Sequence, residues 1–372
     1  MAERSIERAG TEDLPKDAGR RELLRRAGRA SAGVALGNML FHKSVEAAPP
    51  PLVPLPMINT GPEQVPQKPL GRTGVYVSAI GIGGATLGNA QSLEEATRIV
   101  HEAIDSGITF MDNAWEYNDH RSEEWMGQAL QGRRDKVFLM TKVCTHGRDR
   151  GVAMQQLEDS LKRLRTDHLD LWQIHEVIYY NDPELHFAKG GVVEALAQAK
   201  QQGKVRFVGF TGHKNPTIHL KMLELADRHG FHFDTVQMPL NCFDASFRSF
   251  EQNVLPEVNR RGMGALGMKS LGGGGESVTQ GAVRVDEALR YAMSLPVATT
   301  ISGIDSVPVL RQNLGIARGF TPMTAQEMQA LRARCSTEAA DGHLELYKTA
   351  KKYDAAEGRQ QHGYPPKEEL PI

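Results

Sequence analysis

Eight short runs with strand character alternate with amphipathic helical stretches along this chain, and that alternation limits its fold more than any other feature. The runs cover residues 79–85, 109–113, 137–143, 169–175, 207–211, 235–239, 264–271 and 299–304, most of them rich in β-branched or aromatic residues. Between them, Leu93, Ala96, Ile99, Val100, Ala103 and Ile104 fall on one helical face that stops at Gly107. Leu157, Leu161 and Leu164 repeat the pattern, as do Val193, Leu196 and Ala197 before Gly203. A new strand begins roughly every 30 residues, which is the length of one strand–helix unit of a parallel α/β protein. Eight such units suit a (β/α)8 barrel. An open doubly wound sheet is the rival, but no G-x-G-x-x-G stands at the first strand-to-helix turn. Lys68 to Ser78 reads as a hairpin ahead of the barrel, with Gly71-Arg72-Thr73-Gly74 at its turn.

The ends are of a different kind. Gly19-Arg20-Arg21-Glu22-Leu23-Leu24-Arg25-Arg26 precedes a mildly apolar run from Ala30 to Phe41, and a Pro-rich stretch follows to Pro56. A basic region, an apolar region and a small-residue exit, in that order, resemble a twin-arginine export leader. A charged, unfolded tail is the plainer alternative. Residues 1–60 are therefore expected to be leader and disordered linker, residues 61–320 the barrel, and residues 321–372 a helical extension and tail. The leader implies the twin-arginine machinery as a partner and a periplasmic location; without it the protein stays cytoplasmic. Within the extension, His343, Tyr347 and Tyr353 are candidates for substrate contact, although packing on the outside of the barrel is the simpler expectation.

Charge and cysteine content remove several functional classes. Lys plus Arg number 44 and Asp plus Glu 45, a formal net charge of −1, which leaves no electrostatic footprint for nucleic acid or an anionic membrane. No run of about 20 apolar residues exists to span a bilayer. Cys144, Cys242 and Cys335 are too scattered for a disulfide framework or a zinc site, and Cys335 starts no cluster that an iron–sulfur module would need.

Catalytic side chains of such barrels stand at the carboxyl ends of the strands. That rule selects Asp112, Tyr117 just beyond it, Lys142 and His175. Singly, each has a structural explanation, as a turn cap, loop packing or an exposed strand end. Four on one rim make that explanation weak.

The flanks of these residues carry a family resemblance. Met111-Asp112-Asn113-Ala114-Trp115-Glu116-Tyr117, followed by Ser122-Glu123-Glu124-Trp125-Met126-Gly127, resembles the aldo-keto reductase signature: an Asp and a Tyr five apart, then S-E-x-x-x-G. The stretches ending at Lys142 and His175 look like that family's lysine and histidine strands, and the likeness runs from about Leu70 to Ala317. It implies carbonyl reduction by hydride transfer from a nicotinamide cofactor, with no metal. Tyr117 would be the general acid, Lys142 would lower its pKa, Asp112 would hold Lys142, and His175 would donate a hydrogen bond to the substrate oxygen. Gln237 would hold the nicotinamide carboxamide, with Thr211 and Gly212 where relatives carry Ser-Asn. Met268 replaces an aromatic residue that stacks on the ring, with Lys269 beside it. Ser270, Leu271 and the glycines behind them would close over the pyrophosphate. Gly303, Asp305, Gln312 and Asn313 match the adenosine site, but Val309 stands where relatives place an arginine for the 2′-phosphate. NADP(H) is the cofactor the family implies, with NAD(H) the alternative, and the substrate class is an aldehyde, ketone or sugar carbonyl, or the corresponding alcohol. Two other functions fit a barrel of this kind: a non-catalytic nucleotide-binding redox sensor, and a metal-dependent hydrolase using His175, His213 and Asp112. No His-x-His ends the first strand to support the latter.

Overall fold

Every residue of the runs Phe138–Val143 and Leu169–Ile174 is buried, which is what strands covered on both faces by helices require. The computed structural model describes residues 53–59, 61, 63–144 and 149–370; the leader expected over the first fifty residues lies outside them. The strands are β1 (Gln67–Pro69), β2 (Tyr76–Ser78), β3 (Ile80–Gly83), β4 (Phe110–Asp112), β5 (Phe138–Val143), β6 (Leu169–Ile174), β7 (Val205–Thr211), β8 (Thr235–Pro239), β9 (Gly264–Met268) and β10 (Thr299–Gly303). β1 and β2 form the expected antiparallel hairpin, with Lys68 opposite Val77. β3 to β10 run parallel, each beside the next, and β10 closes on β3 through pairs such as Ile301 with Gly81. The fold is the (β/α)8 barrel read from the sequence, with its hairpin.

Strand periodicity then decides what points inward. Phe110, Phe138, Met140, Leu171, Leu266 and Ile301 pack together in the barrel interior, with the Phe110 and Phe138 rings stacked 5.4 Å apart. One step of two residues further along each strand brings Asp112 above Phe110 and Lys142 above Met140. By the same count Thr211, Gln237, Met268 and Gly303 have inward parity at the mouth. The interior is thus apolar at its base and polar at its carboxyl rim.

The hairpin closes the base. Leu70 and Val77 join the interior cluster, and Gly71, at φ +55°, sits where a Cβ would lie 2.5 Å from the Gly264 nitrogen. The linker adds to this edge: Ile58 pairs with Gln67 through two backbone hydrogen bonds of 2.8 and 2.9 Å. Helices on the outside begin at side-chain caps where the sequence offers them. Ser92 accepts from the Glu95 N–H ahead of Leu93–Asp105, and Asn215 accepts from Thr217 ahead of Pro216–Arg228.

The extension expected over residues 321–372 holds one long helix, Ala325–Ala339, starting at a Thr324–Glu327 capping box. Beyond it the chain forms only the short helical turns Leu346–Thr349, Lys351–Tyr353, Ala356–Gln361 and Lys367–Glu369. Nor does it lie on the outside of the barrel. Tyr347 and Lys348 are fully buried, and Lys348 donates to Asp244 at 2.6 Å and to the Phe247 carbonyl at 2.7 Å. The segment folds over the barrel mouth because such buried charges need partners, and the strand ends supply them.

Lys68 is the odd residue of the base. Its ammonium is fully buried and donates to the Met293 carbonyl at 2.6 Å, and burial pulls its pKa down to about 7. The folded state thus binds fewer protons than the unfolded chain between about pH 7 and the ordinary lysine value of 10.5. Stability from this group rises with pH across that window. Wild type should gain about 2 kcal/mol more than Lys68→Met between pH 7 and 9 in urea unfolding; parallel pH curves would contradict the assignment.

Candidate active site

Asp112 ends β4, and Tyr117 follows on a turn whose next three residues, Asn118, Asp119 and His120, all have left-handed backbone (φ +55°, +53° and +70°). Asn, Asp and His tolerate that region better than other side chains. The turn swings Tyr117 back over the mouth and hands the chain to the helix Arg121–Ala129. Within that helix Ser122 donates to the Gly84 carbonyl at 2.6 Å. Glu123, fully buried, accepts from Thr141 at 2.6 Å and from Arg163 at 3.1 Å. Gly127 lies where a Cβ would meet the Arg163 carbonyl oxygen at 2.2 Å. The S-E-x-x-x-G residues therefore act as a brace: they pin the loop carrying Tyr117 against the strand carrying Lys142.

The Lys142 ammonium spends its three protons at the mouth. It donates to Asp112 Oδ1 at 2.5 Å, to the Asn113 carbonyl at 2.7 Å and to the Tyr117 hydroxyl at 3.2 Å. Lys142 and Asp112 are 1% and 3% exposed. His175 follows β6; its Nε2 lies 3.5 Å from the Tyr117 hydroxyl, ring edge to ring face. Its Nδ1 is in close hydrogen-bond contact with Glu116. The four residues chosen from the rim rule thus converge on one hydroxyl group.

The electrostatics differ from the expected picture. Burial drives the Tyr117 hydroxyl well above the usual phenol range, and the Asp112 and Glu116 charges push it the same way. Burial also pulls Lys142 down, against the attraction of Asp112. Lys142 was expected to make Tyr117 more acidic, but burial, with the Asp112 and Glu116 charges behind it, outweighs the ammonium in the direction of the shift. Tyr117 is held as a protonated donor.

A cleft of about 330 Å³ opens beside this group, lined by Asp112, Tyr117, Gln237, Met268, the 269–275 loop, Ser302, Gly303 and Asp305 among others. Gln237 is buried, donates to the Met268 sulfur at 3.6 Å, and leaves its Oε1 without a hydrogen-bond partner. A buried amide oxygen left open at a cleft wall suits an incoming carboxamide N–H. Gly272 and Gly275 have φ of +82° and +89°, so the loop backbone lies close to the cleft without side chains in between. Ser270 and Leu271 sit in the same loop. These residues fit a dinucleotide.

Other expected contacts are placed elsewhere. Thr211 faces the Met268 sulfur at 4.0 Å. Gly212 is packed where a Cβ would meet the Val177 carbonyl oxygen at 2.2 Å, so its lack of a side chain serves packing. Asn313 is buried and holds the Ser302 hydroxyl at 3.0 Å, acting on the cleft through Ser302, while Gln312 is exposed and outside the lining. Lys269, at φ +60°, reaches over the mouth to the Tyr353 hydroxyl at 2.8 Å. His213 has both ring nitrogens engaged, with the Tyr347 carbonyl at 2.9 Å and Glu176 at 2.8 Å. It does not converge with His175 and Asp112 as a metal site would need. His343 is on the surface beside Asp341.

Sequence reasoning missed Glu116 as a partner of His175, although its place directly before Tyr117 put it on the same loop. For the extension it ranked packing on the outside of the barrel above contact with the site. Tyr353 meets Lys269, and Asp354 takes the Lys214 ammonium and the Tyr179 hydroxyl. Contacts made across 84 or more residues leave no local signal.

The buried pair yields a stability prediction. Lys142→Met leaves Asp112 buried and unpaired and should cost about 3–5 kcal/mol in urea unfolding. Adding Asp112→Asn should restore a large part of it; a double variant no more stable than Lys142→Met would contradict the pairing.

The comparisons with known proteins agree with this geometry. The Aldo/keto reductase family model matches residues 79–284. An uncharacterized oxidoreductase of Bacillus subtilis, YqkF, is 25% identical over 318 residues, covering 74% of this chain and 99% of its own. The B. subtilis aldo-keto reductase YhdN is 30% identical over 198 residues, 50% of this chain and 55% of its own. Among solved structures, the holo form of an aldo-keto reductase from Bacillus halodurans superposes with a TM-score of 0.59 at 24% identity, covering 72% of this chain and 95% of its own, a likeness of fold. Over half of the chain matches one family description, on the fold that description requires, and the chain belongs to the aldo/keto reductase family.

Proposed function

We propose that the protein reduces an aldehyde, ketone or sugar carbonyl with a nicotinamide cofactor, and runs the reverse alcohol oxidation, using Tyr117 as general acid and base. The observation that carries this reading is the Lys142 ammonium, shared between Asp112 and the Tyr117 hydroxyl at the edge of the cleft. When bound, the cofactor supplies or accepts the hydride. The chain's own part is to hold the carbonyl oxygen at Tyr117, to deliver a proton to that oxygen as negative charge grows on it, and to keep water out. The high proton affinity of Tyr117 keeps the acid loaded until an oxyanion forms beside it. Lys142 is positioned to stabilise the resulting phenolate at 3.2 Å. Gln237 and the 270–275 backbone would hold the cofactor, and the extension, through Tyr353 and Lys269, would bound the substrate side.

Removal of the Tyr117 hydroxyl is the direct test. Tyr117→Phe should retain less than about 1% of parent turnover with nucleotide affinity within a few-fold, read by cofactor fluorescence. Equal turnover in the two proteins would sink the assignment.

The family preference for NADP(H) meets an unusual adenosine end. Asp305 and Val309 line the cleft there, and Arg311 is forked onto Glu102 at 2.7 and 3.0 Å. A carboxylate and an apolar side chain do not reward a 2′-phosphate. At fixed ionic strength NADPH should therefore bind no tighter than NADH; a tenfold preference for NADPH would contradict this reading of the cleft.

The reading extends to the leader. Its paired arginines, apolar run and small-residue exit support export by the twin-arginine route, which in general carries folded proteins, so the enzyme would cross with its cofactor aboard.

A further inference from the structure

β9 ends at Met268, whose side chain has inward parity, so strand alternation would send Lys269 outward into the helix layer. It does not go there. Lys269 takes left-handed backbone, φ +60°, a conformation that a lysine adopts only at a cost. The reversal brings its side chain to the cleft, where it joins Tyr117 and Gln237 in the lining. Backbone strain that carries a cation to a cleft points to use of that cation.

The ammonium stands there without a counter-ion. The other lysines around the mouth each face a carboxylate: Lys142 has Asp112, Lys214 has Asp354, and Lys348 has Asp244 and Glu345. Among the described residues Lys269 has none, and its partners are aromatic. It donates to the Tyr353 hydroxyl at 2.8 Å and lies 4.7 Å from the centre of that ring and 5.9 Å from the Tyr347 ring. Such contacts hold a cation in place and leave its charge uncancelled. Two of its three ammonium protons, and the proton of the Tyr353 hydroxyl, meet no protein acceptor among the described residues. Both side chains are half-buried. Three donors and a positive charge, with no acceptor facing them, are complementary to an oxyanion.

The group lies near the reacting centre. Behind burial and the neighbouring carboxylates, Tyr353 adds to the upward push on Tyr117. Behind burial, Lys269 adds to the downward pull on Lys142. The glycine loop approaches from the other side, since a Cβ on Gly273 would meet the Tyr353 hydroxyl at 2.6 Å. The cofactor pyrophosphate expected on that loop is therefore the competing oxyanion.

We propose that Lys269, steadied by Tyr353, is a specificity-determining residue that binds a carboxylate or phosphate group of the substrate, so that the carbonyl compounds this mouth selects are anionic. No bond is made or broken at Lys269; its part is to bind the charged end and orient the carbonyl toward Tyr117. The inference rests on the carbonyl-reductase reading and narrows its substrate class.

The test compares para-carboxybenzaldehyde with its uncharged methyl ester, and glycolaldehyde phosphate with glycolaldehyde, in the full chain. The quantity read is the ratio of kcat/KM within each pair, so that any loss common to both members cancels. From wild type to Lys269→Met the charged-to-neutral ratio should fall on the order of 10- to 100-fold in at least one pair, and Lys269→Arg should hold it nearer wild type. Tyr353→Phe should lower it by less. NADH and NADPH affinities of the same proteins are measured alongside by cofactor fluorescence. Ratios unchanged in both pairs overturn the proposal; if nucleotide affinity falls tenfold at the same time, the ammonium serves the pyrophosphate instead. Should no aldehyde be reduced by wild type, the reductase reading fails separately, and the anion site is judged by titrating terephthalate, which cannot react, into each protein. Terephthalate binding about tenfold weaker in Lys269→Met upholds the site, and equal or absent binding overturns it.

Discussion

The contact between the Lys142 ammonium and the Asp112 carboxylate is the constraint on which the site depends. Two charges buried at 1% and 3% exposure are tolerable only when each satisfies the other and the leftover hydrogen-bonding capacity is used. Asp112 takes one ammonium proton, the Asn113 carbonyl a second, and the third is free to point at the Tyr117 hydroxyl. Because β4 and β5 are adjacent parallel strands, the pair also ties together the two strand ends that position the phenol. Burial, with the Asp112 charge behind it, pushes the Tyr117 hydroxyl above the usual phenol range, so the site favours its protonated form.

Around that pair, the surrounding structure supplies rigidity. Glu123 links Thr141 to Arg163 beneath Lys142, and Gly127 allows the helix to approach that same turn closely. The carboxyl-terminal segment works from above. Buried ion pairs such as Lys348 with Asp244, the bonds that Lys269 and Asn241 donate to Tyr353 and Tyr347, and the contact of His213 with the Tyr347 carbonyl fasten it across the ends of β7, β8 and β9. The mouth is bounded on one side by the glycine loop and on the other by this segment. Small molecules are the substrates such a closed mouth can take, and the family's chemistry is of that kind.

Much of this was legible in the residues because strand periodicity converts sequence position into direction. Phe110 to Asp112, and Phe138 through Met140 to Lys142, are steps of two, so an apolar base implies an inward-facing charge at the rim. The eight strand positions were readable for the same reason. β9 stopped at Met268, short of the expected Leu271, because Lys269 turns into left-handed backbone. What escaped was non-local or electrostatic. The extension reads as outside packing until its buried charges are matched with partners about a hundred residues away. The upward push on Tyr117 was not legible because burial, its largest cause, depends on how the finished mouth closes round the hydroxyl. Glu116 was in plain view beside Tyr117, but its partner lies 59 residues further on.

The central claim is that this mouth carries a hydride onto a carbon while Tyr117 supplies the proton. Following the label settles it most directly: nicotinamide cofactor carrying deuterium at C4 is incubated with the protein and a panel of aldehydes and ketones, and the products are examined by mass spectrometry and NMR. The account predicts deuterium on the carbinol carbon, delivered from a single face of the nicotinamide, with the new hydroxyl proton drawn from solvent. Deuterium retained on the cofactor across the whole panel, in a protein that binds the nucleotide tightly, would contradict it and mark the site as a nucleotide sensor.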